Sequence, residues 1–271
     1  MKIISIVELK GGTGKTTTAV TLAELLAEGD KKRKRPGSRV LLFDNDKQGN
    51  ASKLFEVYER ENEAPACKIL KTGRIAGNIR STKEPNLDII PCNYYMELAE
   101  LEVKADQEHA QHDRYKTALE EVSEHYDFCV IDNPPDLGMN VINTLVATDE
   151  IIIPVNLDSY SLDGLEEMVE QINQIRALNP KAKIAGVLIT DYEKTDTSEA
   201  AEIWLREKSG CLVFEQKIRH SKKAKDATIY KMTPCHYSNR SSVAQDYKRF
   251  VDEYVGYYGH DLKERGKSNG I

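Results

Sequence analysis

The sequence predicts an α/β fold in which a doubly wound, mostly parallel sheet carries helices on both faces. The main observation is that apolar runs of strand length alternate with longer stretches of helical period, the pattern of a parallel sheet covered on both sides. The second is size, because 271 residues with 40% hydrophobic residues suffice for one large domain. The third is that no internal repeat or low-complexity linker interrupts the alternation.

Six apolar runs are the predicted strands. The first ends at Val7, because the charged residues Glu8 and Lys10 follow it. The later runs are similar in length, and the fourth ends in an acid, Asp132. The predicted strands span residues 2–7, 39–44, 87–91, 128–132, 150–155 and 184–190.

Helices are predicted in the intervals between these strands. The first follows a glycine-rich turn and has apolar residues such as Ala19, Leu22 and Leu26 at helical spacing. A long polar and apolar stretch after the third strand predicts one continuous helix, and the last helix closes the fold. The predicted helices span residues 15–28, 94–124, 138–147, 162–178, 198–208 and 241–254.

Two segments depart from the alternation. Residues 31–37 form a lysine- and arginine-rich connection longer than the roughly two to six residues usual in such units, so we expect an exposed loop. Residues 59–83 contain Pro65, Gly73 and Gly77 among polar residues, and their secondary structure is left open. We expect one domain over residues 1–262 and a loose C-terminal tail over residues 263–271.

Composition excludes several classes of protein. With 38 Lys and Arg against 44 Asp and Glu, the net charge of −6 excludes a generally basic nucleic-acid coat, so any DNA contact must come from a local patch. No apolar stretch approaches the roughly 18–20 residues of a membrane span. The five cysteines are far apart and odd in number, which fits neither a disulfide framework nor a zinc site and favours a reducing cytoplasm.

A glycine-rich turn between the first strand and the first helix is the strongest chemical signal. Its glycines let backbone N–H groups point inward, and the helix N-terminus adds partial positive charge where phosphates bind. Lys15 can reach the β- and γ-phosphates, and the Thr16 hydroxyl can ligate Mg²⁺. The spacing departs from the ordinary G-x-x-x-x-G-K-[ST] pattern, because Leu9 stands five places before Gly14 and a second lysine, Lys10, opens the turn.

The turn reads Lys10-Gly11-Gly12-Thr13-Gly14-Lys15-Thr16-Thr17, a deviant Walker A motif, and here the sequence resembles the ParA/MinD family of dimeric P-loop ATPases. Residues 40–51 resemble the family's second motif, D-x-D-P-Q-G-N, with Lys47 in place of proline. Residues 126–138 resemble a Walker B element, with Asp136 where serine is common. Most of the chain is covered by this resemblance.

Site roles combine phosphoryl-transfer chemistry with the resemblance. Asp132 ends a strand beside the turn and is placed to hold Mg²⁺ directly or through water, and Asp44 is a supporting carboxylate of the Mg²⁺ shell. The resemblance assigns activation of the attacking water to Asp46, for which helix capping before Gln48 is the alternative. It also implies that Lys10 reaches a partner's nucleotide in trans. The implied nucleotide-binding residues are Lys10, Gly11, Gly12, Thr13, Gly14, Lys15, Thr16 and Thr17.

Sequence outside the motifs favours DNA as the cargo. Residues 217–225 contain five Lys or Arg residues, one His and no acid, and the matching region of partition ATPases binds duplex DNA without sequence preference. Arg219, Lys222 and Lys223 are the main candidates for DNA binding, with a merely solvated helix as the alternative. The basic run 31–35 is a weaker second candidate.

The resemblance therefore implies a cytoplasmic, nucleoid-associated ATPase that uses ATP and Mg²⁺, forms a homodimer and works with a ParB-like centromere-binding protein. The alternative is a MinD-like positioning ATPase acting on a protein or membrane cargo. A membrane-bound member would end in a basic amphipathic helix, whereas residues 254–265 are broken by glycines and mixed in charge, so we expect no membrane contact. A third alternative is a regulatory module with vestigial hydrolysis, because Lys47 and Asp136 alter positions beside the γ-phosphate.

Overall fold

A computed structural model describes residues 1–258, with backbone alone at residues 159–163 and 258. In this part of the chain the strands are β1 (Lys2–Ile6), β2 (Val40–Asp44), β3 (Arg80–Ser81), β4 (Leu87–Ile90), β5 (Phe128–Asp132), β6 (Glu150–Val155) and β7 (Lys183–Ile189). They form one sheet in the order β3-β4-β2-β5-β1-β6-β7. Neighbouring strands are parallel except for β3 and β4, so the predicted fold class is confirmed.

Helices cover both faces of the sheet. They are α1 (Lys15–Glu28), α2 (Asn50–Leu54), α3 (Pro65–Thr72), α4 (Met96–Ala105), α5 (Arg114–Glu120), α6 (Met139–Ala147), α7 (Ser159–Ile175), α8 (Asp196–Lys208), α9 (Lys222–Ile229), α10 (Pro234–Tyr237) and α11 (Ser242–Tyr258). The strands alternate between faces: Leu42 packs with α1 and α11, whereas Leu41 and Phe43 pack with α3, α4 and α5. The double layer of helices explains why the strands are apolar on both sides.

The single helix predicted over residues 94–124 is wrong. The chain leaves α4 at Asp106, whose carboxylate accepts the backbone N–H groups of Glu108 at 2.9 Å and His109 at 3.2 Å. The guanidinium of Arg114, at the start of α5, lies 2.5 Å from the same carboxylate. These contacts, led by the Glu108 N–H, lower the pKa of Asp106 to about 2. An aspartate that binds backbone N–H groups two and three residues ahead favours a turn over continued helix.

The segment left open at residues 59–83 contains α3 and the short edge strand β3. Pro65 occupies the first turn of α3, and Gly73 ends it with φ of 67°. Proline at the start and a left-handed glycine just past the end are standard helix boundaries. Both residues were visible in the sequence, so the spacing between them could have predicted this helix.

No disulfide links the five cysteines, in agreement with their scattered spacing. Within residues 1–258, no helix combines the length and apolar character needed to cross a membrane. The tail predicted at 263–271 lies outside the described residues, as does the end of the segment 254–265, and the boundary at residue 262 stays a prediction.

Candidate functional site

The glycine-rich turn joins β1 to α1 and opens at the carboxyl edge of the sheet. Gly12 and Gly14 have φ of 83° and 84°, a left-handed conformation that side chains other than glycine rarely adopt. This geometry lets the chain reverse tightly before α1 begins at Lys15. The first N–H groups of α1 have no acceptor within the helix and carry its positive dipole end. Strand, turn and helix together form an anion site.

Lys15 is buried inside this loop, with 7% of its surface exposed. Its ammonium donates to the carbonyl oxygen of Lys10 at 2.7 Å. Burial lowers the pKa of Lys15, while the carboxylates of Glu8 and Asp132 act in the opposite direction. A desolvated ammonium held among carboxylates is a fixed positive charge, placed where an incoming phosphate would compete for it.

Lys10 points to the other side of the loop and forms an ion pair with Asp158, which follows β6. Its ammonium lies 2.6 and 2.7 Å from the two carboxylate oxygens. The backbone N–H of Lys10 donates to Glu8 at 3.2 Å, and burial raises the pKa of the Glu8 carboxyl. Sequence reasoning did not identify either acidic partner. Within a single chain, Lys10 is therefore held by acidic residues of the same chain.

The two strand-end aspartates lie next to each other at the edge of the sheet. The register of β2 and β5 pairs Asp44 with Asp132, and both are fully buried. Burial, followed by the neighbouring Asp44, raises the pKa of Asp132 well above its usual range, while the Thr16 hydroxyl acts to lower it. Asp132 therefore has both Thr16 and Asp44 as neighbours at this edge.

Asp132 has the properties of a cation ligand. Both of its carboxylate oxygens are buried without a hydrogen bond of good geometry to any described residue. An unpaired buried carboxylate is costly, and a divalent cation beside it removes that cost. No cluster of three or more His, Cys, Asp or Glu side chains suited to a metal occurs among the described residues. Mg²⁺ is usually bound by one or two protein oxygens together with phosphates, and the Asp132 carboxylate is a donor of that kind.

Asp44 makes more protein contacts than Asp132. One of its oxygens accepts the N–H and the hydroxyl of Ser52 at 2.8 and 2.6 Å, and the other accepts the N–H of Asp46 at 3.2 Å. Burial raises the pKa of Asp44 to about 6. Its contacts fix the segment after β2, so they fit a supporting carboxylate better than an open ligand position.

Asp46 lies at the same edge, 7% exposed. One carboxylate oxygen accepts the N–H of Gln48 at 2.9 Å, which is a turn contact and not a helix cap, because α2 begins at Asn50 and its N-cap is Gly49. That contact occupies one oxygen and fixes the orientation of the carboxylate. A base oriented in this way can still accept a proton from water at its second oxygen.

A buried polar network, missed by sequence reasoning, connects the segments after β2 and β5. The side-chain amide of Asn45 donates to Asn133 at 2.9 Å and to Thr144 at 3.0 Å. Its carbonyl oxygen accepts the Tyr115 hydroxyl at 2.9 Å. Satisfied polar networks in a core rigidify the elements that they join. The asparagines after both aspartates were visible in the sequence, but their pairing depends on strand order.

A cavity of about 210 Å³ continues from the glycine-rich loop between β7, α9 and α11. Its lining includes Thr17, Asn156, Thr190, Ile218, Ala224 and Tyr247. The Thr190 hydroxyl donates to the carbonyl oxygen of Thr13 at 2.8 Å, which ties the loop to this cavity. An apolar cavity with a few polar groups beside a phosphate loop suits a nucleoside.

The basic segment 217–225 divides into two parts. Arg219 lines the cavity, and its guanidinium forms a bidentate pair with buried Asp246 at 2.8 and 2.7 Å. The side chain of Arg219 is 51% exposed, and the ion pair fixes the guanidinium beside the cavity. Lys222 and Lys223 are exposed in the first turn of α9, which begins with Ser221 accepting the Lys223 N–H at 3.2 Å. This helix is not among the six predicted ones and was considered only as the solvated alternative to DNA binding, although Ser221 is a favourable N-cap.

Comparison with known proteins agrees with the fold. The chain matches the family model of an AAA domain over residues 1–184. It is 38% identical over 191 residues to the sporulation initiation inhibitor protein Soj of Bacillus subtilis (strain 168), covering 70% of this chain and 72% of Soj. It is 28% identical over 260 residues to the chromosome partitioning protein ParA of Caulobacter vibrioides, covering 94% of each.

Among solved structures, apo McdA from Cyanothece superposes with a TM-score of 0.78 at 24% identity, covering 94% of this chain and 99% of that one. This similarity extends the fold beyond residue 184, where the family model ends. The glycine-rich loop, the paired aspartates and these matches have one common explanation. The chain belongs to the AAA-domain family and is a P-loop ATPase of the ParA/MinD type, an enzyme that hydrolyses ATP.

Proposed function

We propose that this chain is a Mg²⁺- and ATP-dependent dimeric ATPase that partitions DNA, from a plasmid, a mobile element or a chromosome, and binds duplex DNA without sequence preference in its ATP state. One of the relatives supports this assignment by name, the chromosome partitioning protein ParA of Caulobacter vibrioides. The observation that carries it is the position of α9, which borders the nucleoside cavity and also presents exposed lysines.

In this proposal the loop amides and Lys15 hold the phosphates of ATP, and the cavity beside them holds the adenosine. Thr16 and Asp132 hold Mg²⁺, which supplies charge neutralisation at the phosphates. Asp46, oriented by the Gln48 N–H, accepts a proton from the attacking water. Asp44 supports the site by fixing Asp46 and Ser52.

The dimer depends on Lys10. In trans, its ammonium would supply the partner's phosphates with the positive charge that an arginine finger supplies in other NTPases. To do so it must leave Asp158, where it forms two short contacts within one chain. Exchange of a carboxylate for a triphosphate couples dimer formation to the bound nucleotide.

We expect Lys10→Ala to leave ATP affinity within about threefold and to lower turnover by about 100-fold, because the trans charge acts mainly in the transition state. Fluorescence titration of a labelled ATP analogue and steady-state phosphate release measure the two quantities. Wild-type turnover in the variant would contradict the role given to Lys10.

The DNA surface is supported by an electrostatic argument. Lys222 and Lys223 occupy the first turn of α9, where the helix dipole disfavours cations, and Lys222 has no ion pair with any described carboxylate. Lysines at that position do not stabilise the helix, but they suit a bound polyanion, since both the ammonium groups and the helix N-terminus attract phosphate. Nucleotide bound against the other side of α9 would fix this turn in place.

The test is binding of a labelled 20-base-pair duplex in the presence of a nonhydrolysable ATP analogue, of ADP, or of no nucleotide. We expect tight binding only with the analogue, and a loss of about fivefold or more in Lys222→Gln/Lys223→Gln, with a salt slope lower by about 0.9 per lost contact. The matched control is Lys181→Gln/Lys208→Gln, which removes two exposed lysines elsewhere. Sedimentation with anionic vesicles but not with DNA would favour the MinD-like alternative instead.

The proposal includes a ParB-like centromere-binding protein that stimulates hydrolysis and releases the ATPase from DNA. It also implies that the protein is found on the nucleoid in the cytoplasm. Support comes from the relatives' names and from the exposed lysines of α9.

A further inference from the structure

The basic loop after α1, residues 31–37, has a defined structure in which its arginines and its lysines have different roles. Asp30 and Arg35 pair through their backbones, with N–H to carbonyl distances of 2.7 and 2.9 Å. The Asp30 carboxylate accepts the N–H groups of Lys32 at 2.9 Å and of Arg33 at 3.2 Å. The side chains of Arg33 and Arg35 both bind Asp252 on α11, and Arg35 also donates to the carbonyl oxygen of Leu25. The two arginines therefore anchor the loop.

The lysines of the same loop project into solvent. Lys31 and Lys32 are exposed, and neither forms an ion pair with a carboxylate of residues 1–258. They line one side of a cavity of about 640 Å³, and Arg240 and Lys248 line the other side. Five cations and two carboxylates, Glu28 and Asp30, border this space. A rigid loop that keeps its lysines unpaired beside further cations is suited to bind an anion.

This cavity is separate from the ATP site. It lies at the C-terminal end of α1, at Leu25 and Glu28, whereas the glycine-rich loop precedes the N-terminal end of the same helix. A helix of 14 residues is about 21 Å long. A triphosphate held by Lys15 cannot reach Lys31 or Lys32. The cavity therefore needs a different ligand.

The cavity is connected to the first turn of α9 through α10 and the residues that follow it. The Lys223 ammonium lies 5.3 Å from the ring centre of Tyr237 on α10. Asn239 follows Tyr237 by two residues, and its side chain accepts a hydrogen bond from Lys248. Both residues line the cavity, together with Arg240. Arg240 is exposed and has no ion pair among the described residues. Cations therefore continue from the start of α9 to the loop after α1.

We propose that this cavity is a second phosphate-binding site for duplex DNA. In this proposal the phosphodiester backbone of the DNA contacts Lys31, Lys32, Arg240 and Lys248 in addition to the lysines of α9. The inference rests on the proposed DNA-binding function and extends it to a surface at the far end of α1. A phosphodiester backbone is the occupant that fits, because it presents regularly spaced single negative charges along a surface rather than one compact anion. Nothing in such a contact depends on base sequence.

The test is the salt dependence of duplex binding, measured by anisotropy with a nonhydrolysable ATP analogue. Lys31→Gln/Arg240→Gln removes two exposed, unpaired cations, and we expect the logarithmic salt slope to fall by roughly 0.9 for each lost contact and the affinity to fall roughly fivefold or more. Lys31→Arg/Arg240→Lys keeps both charges and should retain the slope. The control Lys34→Asn/Lys181→Gln also removes two lysines, one from the same loop but outside the cavity, and asparagine tolerates the φ of 57° at position 34.

Each outcome decides between the claims. A reduced slope in Lys31→Gln/Arg240→Gln, with a normal slope in the control, supports the second phosphate site. If wild type and Lys31→Gln/Arg240→Gln have equal slopes while Lys222→Gln/Lys223→Gln has a lower one, the second site is wrong and the proposed function stands. If wild type binds no duplex with the ATP analogue, the proposed function and this inference both fail.

Discussion

Lys15→Ala is expected to lower ATP hydrolysis by at least about 100-fold and to weaken ATP binding strongly. Removal of a fixed charge from a water-excluded phosphate site typically costs about 3–4 kcal/mol, which is a factor of about 100 to 1,000 in rate. Lys15 meets that condition because it is buried and held at 2.7 Å from the Lys10 carbonyl oxygen. The alanine variant would also leave Glu8 and Asp132 without their nearest buried cation.

Phosphate release and ATP titration measure the effect of Lys15→Ala. Lys181→Ala serves as the control, because Lys181 is exposed and lies before β7, away from the loop. A folded Lys15→Ala protein that hydrolyses ATP within threefold of the wild-type rate would contradict the phosphate site described here.

Asp132→Asn is expected to have opposite effects on stability and activity. Its carboxylate is buried and has no well-formed hydrogen bond, so the amide should raise the free energy of unfolding of the nucleotide-free protein by about 1–3 kcal/mol at pH 8. The same change removes the carboxylate proposed to hold Mg²⁺ and should lower hydrolysis about 100-fold. In wild type, MgATP at about 100 times its Kd adds about 2.7 kcal/mol of stability, and the variant should gain far less.

The difference in the free energy of unfolding between Asp132→Asn and wild type should depend on pH with a definite sign. Burial raises the folded-state pKa of Asp132, so the folded protein binds a proton that the unfolded chain has already released. Its contribution to stability is fully present below the ordinary aspartate pKa and is lost as pH rises through the raised pKa. The stability advantage of Asp132→Asn over wild type should therefore grow as the pH rises from the ordinary aspartate pKa to the raised pKa. Denaturant unfolding of both proteins between pH 5 and 8 measures it, and a variant less stable than wild type at every pH would contradict the account.

The parallel strands could be predicted because burial on both faces leaves a strong apolar signal. The predicted runs at 128–132 and 150–155 coincide with β5 and β6, and that at 39–44 misses β2 by one residue. The helix predicted over 94–124 failed for a local reason. Asp106 forms a turn with the N–H groups that follow it, which periodicity over a long window does not detect. Pro65 and Gly73 show that boundary signals were present where periodicity was weak.

The phosphate site was predictable because its residues are close in sequence. Gly12, Gly14, Lys15 and Thr16 lie within five consecutive residues, and the aspartates end strands that share an edge. The nucleoside cavity was not predictable, since it joins the loop to residues near 190, 218 and 247. The pairing of Arg219 with Asp246 was also hidden, because the two residues lie 27 positions apart in the sequence.

The most direct test of the central claim, that two copies share each active site through Lys10, is the activity of mixed variants. Lys10→Ala and Asp46→Asn should each be nearly inactive alone. In a mixed dimer, the site with an intact Asp46 receives Lys10 from the Asp46→Asn subunit and is complete, whereas the other site lacks both groups. After random subunit exchange, half of the dimers are mixed and each has one working site, so we expect about a quarter of the wild-type rate. A mixture no more active than the average of the two variants would show that Lys10 does not act across the dimer.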